Sequence, residues 1–555
     1  MDQIAAVSMH WKAQMGPNTN RLSGAARSFI QMGGQWQKVK TLGAAISGRQ
    51  GGPLASGSQP QSGANAGATG MPGQPAPELG PGKPTSIPNL ASTRFSGAVQ
   101  SETSTAWCGR QAVTGFNDSG SFWEAGGIFG SGARSFDGYA VSGNAGGTFT
   151  DKDYPTLGPS GTFMAGDPVL ACSSPTNFIY ASLYFDGSVP GPSGKGLSAI
   201  SISISTDGGN TFSSPIAAIE KDANYHFLDK PWMTIDPSNS QHIYVTYTDF
   251  DNETADGGTG NSCGLAGSNI SRTAIELVDS ADGGTTWSVP TVVTQVCGNP
   301  FVQGSQVAVA PATGKVYVAW ETFAADFFTR EIDIASSVDG GTTFSTPATV
   351  SSVKAVGDGD FAFGIQGFIR DFEFPSLAIG KGKNNAGSLY ITWNDGDNRI
   401  ADQFLAFVLS NDGIGDGKYG FSDVMFTSSI DGGTTWTTPA KVNQTSLKPV
   451  DHYQPGVATD KVGRIAVCWY DRRRDVNNFL IDRFCGSSTD GVKWTNAKIT
   501  PKNYPSVVNQ DLLIASDYQG DYDQLTSDAT NAKAGFLGGF VNTQLGNQNV
   551  LVNRF

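Results

Sequence analysis

The sequence Ser-Ile-Asp-Gly-Gly-Thr-Thr-Trp at residues 429–436 decides the fold, because close copies of it recur along the chain. Full copies span residues 205–212, 280–287 and 337–344, and a shortened copy spans residues 488–494. A degenerate copy at residues 144–149 has Asn144 in place of the aspartate. Self-similarity of this kind predicts a repeat architecture in which each copy marks one structural unit.

A second pattern precedes the copies: an apolar strand, a short turn and an aromatic-rich strand. Residues 307–310 followed by 315–320 are one example, and residues 455–459 followed by 464–469 are another. Each unit is therefore predicted to contain four antiparallel strands, a to d, with the Asp-Gly-Gly string at the turn between c and d. Four-stranded units that recur about every 50–75 residues are typical of propeller blades.

Seven units begin near residues 100, 166, 229, 304, 373, 453 and 518. We therefore predict an all-β, seven-bladed β-propeller of four-stranded antiparallel sheets over residues 93–555. Six blades are the alternative if the first or last unit is not a true blade. The last unit has about three strands, and a strand near 94–100 is expected to complete it. Such closure removes exposed sheet edges.

Two segments precede the predicted propeller. Residues 1–46 form a basic head with one or two expected short helices, and they suit docking to an acidic protein partner or a membrane surface. A poorly ordered head is the alternative. Residues 47–92 are dominated by Gly, Pro, Ser, Gln and Ala, a composition that predicts an extended or disordered linker.

Charge and cysteine usage limit the function classes. The net charge of −13 makes the chain a poor partner for nucleic acid, and no apolar run reaches the roughly 18 residues of a membrane span. The six cysteines are placed to pair as Cys108 with Cys172, Cys263 with Cys297, and Cys468 with Cys485. Such pairs indicate an extracellular or cell-surface location, with buried free thiols as the alternative. Residues 1–49 contain no apolar signal segment, so the export route stays open.

The Ser-x-Asp-Gly-Gly-x-Thr-Trp/Phe string resembles the Asp-box, or BNR repeat, of the sialidase superfamily. In that family the boxes lie at the c–d turn, on the face away from the active site. Their physics is structural, because the carboxylate accepts turn amides and the glycines adopt angles that other residues avoid. The resemblance therefore predicts a structural role for five aspartates, which are Asp207, Asp282, Asp339, Asp431 and Asp490.

Chemistry is expected at the central channel, on the face where the inner strands begin. The predicted catalytic residues there are Arg370, Asp371, Glu373, Asp451, Tyr453, Asp521 and Tyr522. The predicted ligand-binding residues are Asp167, Asp229, Lys230, Gln306, His452 and Arg472. Two suitably spaced carboxylates could hydrolyse a glycosidic bond. The alternative is that these side chains cap strand ends and form simple surface ion pairs, such as Asp229 with Lys230 and Asp471 with Arg472.

The chain departs from the sialidase pattern of a Tyr–Glu nucleophile pair, an Asp acid/base and three substrate-binding arginines. The Arg-Ile-Pro motif is absent, and Arg94 and Arg110 lack its context, so exo-sialidase activity is not expected. No cofactor is predicted, although two acidic groupings leave Ca²⁺ as an option. These are Asp249/Asp251/Glu253/Asp256 and Asp358/Asp360/Asp371/Glu373.

Three functions are consistent with these observations. The first is a module that recognises a glycan or another extracellular ligand at the channel face. The second is a glycosidase that uses channel carboxylates. The third is a structural subunit of a surface assembly, docked through the head.

Overall fold

The structure is a computed structural model. The described residues are 9, 12, 13, 85, 86, 99–125, 132–253, 263, 272–325, 329–356, 365, 369–396, 421–444, 450–506, 511, 513, 514, 518–543 and 548–555. Most of the predicted head and linker therefore lie outside them, as do Arg94, Asp256, Asp358 and Asp360. Among the described residues, no helix has the length and apolar character needed to cross a bilayer.

Seven antiparallel sheets confirm the seven-bladed propeller. The chain first forms β1 (Thr85–Ser86), which belongs to the last blade. In blade 1, strand a is β2 (Gln100–Cys108) and strand b is β3 (Gln111–Asp118). A short helix, α1 (Ser119–Glu124), and β4 (Arg134–Ser135) follow. Strands c and d of blade 1 are β5 (Asp137–Ser142) and β6 (Thr150–Asp151).

Blade 2 is the largest sheet, because β4 and an extra strand extend it to six strands. It contains β7 (Thr162–Met164), β8 (Val169–Cys172), β9 (Phe178–Asp186), β10 (Leu197–Ser205) and β11 (Ile216–Asp222). Blade 3 contains β12 (His226–Asp236), β13 (Asn239–Asp251), β14 (Arg272–Ser280) and β15 (Thr291–Cys297). Blade 4 contains β16 (Phe301–Val309), β17 (Val316–Phe323), β18 (Thr329–Ser337) and β19 (Ala348–Lys354).

The remaining blades complete the ring. Blade 5 contains β20 (Ser376–Ile379), β21 (Leu389–Gly396), β22 (Ser422–Ser429) and β23 (Ala440–Lys441). Blade 6 contains β24 (His452–Thr459), β25 (Ile465–Asp471), β26 (Asp482–Ser488) and β27 (Thr495–Lys498). Blade 7 contains β28 (Leu525–Ser527), β29 (Phe536–Asn542) and β30 (Asn549–Arg554), and β1 is its outer strand.

The ring closes with an N-terminal strand, as predicted, but with a different one. Thr85 and Ser86 pair with Val552 and Leu551 of β30, within the segment predicted as linker. Of the predicted closing segment 94–100, the structure describes only residues 99 and 100: Val99 forms a bridge with Gln548, and Gln100 opens the inner strand of blade 1. The described part of β1 is two residues long, which is too short for an apolar pattern to mark it.

The Asp-box turns lie between strands c and d and join neighbouring blades. In blade 5, Asp431 Oδ1 accepts the Ser429 hydroxyl at 2.8 Å and the Thr435 amide at 2.9 Å. Asn144 makes the same contact with the Thr148 amide, at 2.8 Å. Each box packs against the preceding blade: a Cβ on Gly209 would overlap Val113 of blade 1, and one on Gly146 would overlap Leu537 of blade 7. The six turns therefore join neighbouring blades everywhere except between blades 6 and 7, because blade 7 has no Asp-box.

All three predicted cysteine pairs form disulfides. Cys108–Cys172 joins blades 1 and 2, whereas Cys263–Cys297 and Cys468–Cys485 each lie within one blade. The core fills the spaces between blades with residues from strands b. Trp320, Trp393 and Trp469 occupy corresponding positions there and are fully buried. Their burial fixes the blades against each other and so fixes the position of the inner strands.

Candidate functional site at the propeller axis

Bulges near the start of the inner strands position the side chains at the axis. Glu102, Asp167, Lys230 and Gln454 have φ between 49° and 54°, and Gly304 lies at the corresponding place in blade 4. The pairing register shifts at four of these points. A bulge adds a residue to one strand and re-aims its side chain. Positive φ is uncommon for residues other than glycine, so five repeats of this feature mark a special part of the fold.

Lys230 is the centre of the ion pairs at the axis. Its Nζ lies 2.6 Å from Glu102 Oε1 of blade 1 and 2.7 Å from Asp521 Oδ2 of blade 7. It also lies 3.7 Å from Asp167 Oδ2 of blade 2. Because Lys230 belongs to blade 3, which does not adjoin blade 7 or blade 1, these contacts cross the axis of the ring. Its predicted partner Asp229 instead accepts the Gln303 side-chain amide at 2.8 Å.

The network continues through three arginines. Arg370 binds Asp521, with Nε 3.1 Å from Oδ1, and its guanidinium lies over the rings of Phe372 and Tyr518. Arg330 binds Glu373 and lies 3.5 Å from Glu321. Arg472 binds Asp451 at 3.2 Å rather than its sequence neighbour Asp471. Asp471 is bound by Arg473 instead, so the simple pairs expected from adjacent residues are not the ones that form.

We call the charged residues of this network the axial cluster. All seven blades contribute to it, and each member is at most 4% exposed. Its members are Glu102, Asp167, Asp229, Lys230, Glu321, Arg330, Arg370, Asp371, Glu373, Asp451, Arg472 and Asp521. Nine of the thirteen predicted site residues therefore meet in one network. The other three members, Glu102, Glu321 and Arg330, were not among the predicted site residues, although Glu102 could have been found from its place at the start of the first inner strand, in register with Asp167 and Lys230.

The other four predicted residues lie around the cluster or away from it. The Tyr453 hydroxyl donates to Gln519 at 3.0 Å, and the Tyr522 ring lies 4.9 Å from Lys230 Nζ. Gln306 accepts the Leu377 amide at 2.7 Å and so joins blades 4 and 5. His452 lies against the Ser422 carbonyl oxygen at 3.0 Å, between blades 5 and 6. Burial raises the pKa of Tyr453, so its hydroxyl stays protonated at neutral pH.

Carboxyl groups in the axial cluster have pKa values that are displaced in opposite directions. Burial, together with the negative charges of Glu373, Asp521 and Asp451, raises the pKa of Asp371 well above its usual range. Burial and a neighbouring carboxylate likewise raise the pKa of Asp167, beside Glu102, and of Glu321, beside Glu373. For Asp521, burial also opposes ionisation, but Arg370 and Lys230 outweigh it and lower the pKa to about 2. The cluster therefore contains carboxyl groups with raised pKa values beside one with a lowered pKa.

Several buried polar atoms next to the cluster have no hydrogen-bond partner among the described residues. They are Gln303 Oε1, Ser305 Oγ, Asp371 Oδ1, Tyr518 Oη and Gln519 Nε2. Their side chains are at most 2% exposed. Buried polar groups in folded proteins nearly always find partners, and leaving one unpaired costs about 1–3 kcal/mol. The set mixes donors with acceptors and lies beside the axis, which is the arrangement that a polar ligand requires.

The predicted calcium groupings have other partners. His226, Asp249 and Asp251 come close enough together to share an ion. However, Asp249 already contacts Lys221 at 2.7 Å and Arg272 at 3.4 Å. Burial lowers the pKa of His226, but Asp249 outweighs this and raises it above the ordinary value. The negative charge in the described part of this grouping is therefore neutralised by protein cations. In the second grouping, Asp371 and Glu373 belong to the axial cluster.

Comparisons with known proteins leave the function open. No family model matches the chain, and no curated protein matches it. Solved structures with the same general fold include a Hadza microbial sialidase, which is 14% identical over 80% of this chain and 74% of that one, with a TM-score of 0.40. An α-L-arabinofuranosidase of Fusarium graminearum is 12% identical over 68% and 89%, with a TM-score of 0.39. An ulvan lyase from a new polysaccharide lyase family is 9% identical over 85% and 93%, with a TM-score of 0.45. These likenesses are distant, and the evidence for the seven-bladed propeller is the set of sheets in this chain itself.

Proposed function

We propose that this protein is an extracellular or cell-surface propeller that binds a glycan at its axial face. The observation that carries the proposal is the set of buried, unpartnered polar atoms beside the axial cluster. A sugar presents hydroxyl groups that both donate and accept, so it suits a site that offers donors such as the Gln519 amide and acceptors such as the Gln303 carbonyl. The three disulfides support the extracellular location.

Aromatic side chains supply the apolar part of such a site. Trp232 and Tyr522 meet edge to face with ring centroids 5.6 Å apart, and Phe374 lies 5.7 Å from Lys230 Nζ. These three rings come from blades 3, 7 and 5 and are only partly buried. The C–H face of a sugar ring is apolar, so partly exposed aromatic rings beside polar groups suit a carbohydrate ligand.

The decisive variant removes one unpartnered atom. Tyr518→Phe deletes a hydroxyl that has no hydrogen-bond partner among the described residues, so the stability of the protein should stay the same or rise. If that hydroxyl contacts the glycan, affinity falls about five- to tenfold, which corresponds to about 1 kcal/mol. Tyr317→Phe is the matched control, because Tyr317 lies beside the Asp-box glycine Gly432.

The measurement is a glycan-array screen followed by calorimetric titration of the best oligosaccharide. Weaker binding by Tyr518→Phe, with unchanged binding by Tyr317→Phe, is the expected result. Equal affinity for both variants and the wild type would place the ligand elsewhere. A failure of the wild type to bind any glycan would overturn the proposal.

A second candidate function is glycoside hydrolysis, and the observation in its favour is the pair Asp371 and Asp521. The environments of these two carboxyl groups push their pKa values apart, which is how a general acid and its ionised partner are distinguished. In this scheme Asp371 would protonate the leaving oxygen. Reducing-sugar release that disappears in Asp371→Asn while binding persists would establish the hydrolase, whereas binding without any release would establish the recognition module.

A further inference from the structure

The axial cluster has fewer positive than negative groups, and this bears on the kind of sugar that it accepts. It contains eight carboxyl groups and four cations, which is a formal excess of four negative charges. All of these groups are nearly or fully buried, where charges are weakly screened. Burial, together with the negative charges of neighbouring carboxylates, raises the pKa values of Asp167, Glu321 and Asp371.

Every cation in the cluster is already bound by a carboxylate. Lys230 lies between Glu102 and Asp521, and Arg370 holds Asp521 as well. Arg330 binds Glu373, and Arg472 binds Asp451. Recognition of a sugar carboxylate typically uses an arginine that can offer two N–H groups to it. A carboxylate-bearing sugar would have to compete with these internal pairs. It would also add a negative charge to a cluster that already has more carboxyl groups than cations.

A positively charged group would have the opposite effect. Asp371 Oδ1 is a buried acceptor without a hydrogen-bond partner among the described residues, and it lies beside carboxylates rather than beside a free cation. An ammonium group carries three donors and one positive charge. It would therefore satisfy the acceptor and allow a protonated carboxyl group to ionise.

We propose that the axial cluster selects against sugars that carry a carboxylate and prefers an amino sugar over the equivalent neutral sugar. This inference rests on the proposed glycan-binding function and adds the charge class of the ligand. Lys230, Arg370 and the carboxylates around them are the determinants of this preference. The preference is a property of the whole cluster, because no single residue supplies the excess of negative charge.

The test is a titration series with three oligosaccharide classes of equal length: oligomers of glucosamine, of N-acetylglucosamine and of galacturonic acid. The expected order of affinity is amino, neutral, acidic, with at least about a tenfold difference between the first and the last, decreasing as salt is added. Binding of the glucosamine oligomer should also release protons, which is measured by repeating the calorimetry in buffers of different ionisation enthalpy.

A charge variant sharpens the result. Asp451→Asn removes a carboxylate that lies 3.2 Å from Arg472, so it should raise the affinity for the galacturonate oligomer about tenfold. Asp431→Asn, at an Asp-box on the opposite face, is the matched control and should leave the affinity for the galacturonate oligomer unchanged. Galacturonate binding that equals or exceeds glucosamine binding in the wild type overturns this inference but leaves the glycan-binding function standing. Absence of binding in all three classes and in the glycan-array screen contradicts the glycan-binding function itself.

Discussion

The Asp-box turns and the axial cluster use the same residue type in opposite ways. Asp282, Asp339 and Asp431 are exposed, and hydrogen bonds from nearby threonines and serines lower their pKa values to about 2. Asp167 and Asp371 are fully buried, and their pKa values are raised. Partners of the first group lie within four residues in sequence, whereas Lys230 and Glu102 are 128 residues apart. The Asp-box carboxylates therefore stabilise a local turn, whereas the carboxylates of the axial cluster are brought together by the tertiary fold.

The largest expected effect is at the centre of the cluster. Lys230→Met removes the cation that lies between Glu102 and Asp521 and leaves buried negative charge without its partner. Such a change costs about 3–5 kcal/mol of unfolding free energy. Lys441→Met is the control, because Lys441 forms an ion pair with Asp423 but is 58% exposed, and it should cost less than about 1 kcal/mol. Urea unfolding measures both values, and similar losses would show that the cluster does not differ from the surface.

An intermediate effect is expected where an Asp-box turn meets the next blade. Gly209 has a φ of +83°, and an added Cβ would overlap Val113, so Gly209→Ala should cost about 2–3 kcal/mol. Gly314 has a φ of +66° and no atom within 4 Å of that position, so Gly314→Ala should cost only the backbone strain of about 1 kcal/mol. Equal losses in thermal or urea unfolding would mean that the box does not fasten blades 1 and 2.

The smallest effect is expected from exchanging an Asp-box carboxylate for an amide. Asn144 already occupies the aspartate position in blade 1 and accepts the same turn amide. Asp431→Asn should therefore leave the melting temperature nearly unchanged, while Asp431→Ala, which removes the acceptor, should lower it. Differential scanning calorimetry separates the two variants. A large loss in the asparagine variant would mean that charge, rather than hydrogen bonding, is what the turn requires.

The repeated blades could be predicted from the sequence because the interactions that form each Asp-box turn are local in sequence. Each box carries its own hydrogen bonds, so Asp207 and Asp490 could be assigned without knowledge of the fold, and the box spacing set the blade count. The disulfides followed from the positions of the cysteines within the repeats. The strand Thr85–Ser86 could not be identified, since its two residues pair with β30, more than 460 residues away in the chain.

The sequence indicated where the axial cluster lies, but not which of its side chains contact each other. The connections between strands d and a indicated eight of its members and a b–c loop indicated Arg472, because the topology brings both kinds of segment to the axis. Which side chains meet depends on bulges at Glu102, Asp167 and Lys230, and none of these residues favours positive φ by itself. Arg472 was expected beside Asp471, but its carboxylate partner in the cluster is Asp451, which directly precedes strand a of the same blade.

The central claim is that the interior holds more carboxyl groups than its cations can balance, so that several are protonated in the folded protein. Burial raises the pKa values of Asp118 and Asp137 to about 7, and Asp167, Glu321 and Asp371 are raised as well. A raised carboxyl pKa contributes stability that is present below the unfolded value of about 4 and is lost as pH rises through the folded value. Asp521 acts in the opposite direction, but its contribution is lost only as pH falls from about 4 to about 2.

The free energy of unfolding, measured by urea denaturation between pH 4.5 and 8, tests this claim most directly. The expected result is a decline of about 1 kcal/mol or more per pH unit as the pH rises, because the folded protein holds more protons than the unfolded chain. A free energy of unfolding that stays level, or increases, between pH 4.5 and 8 would contradict the account.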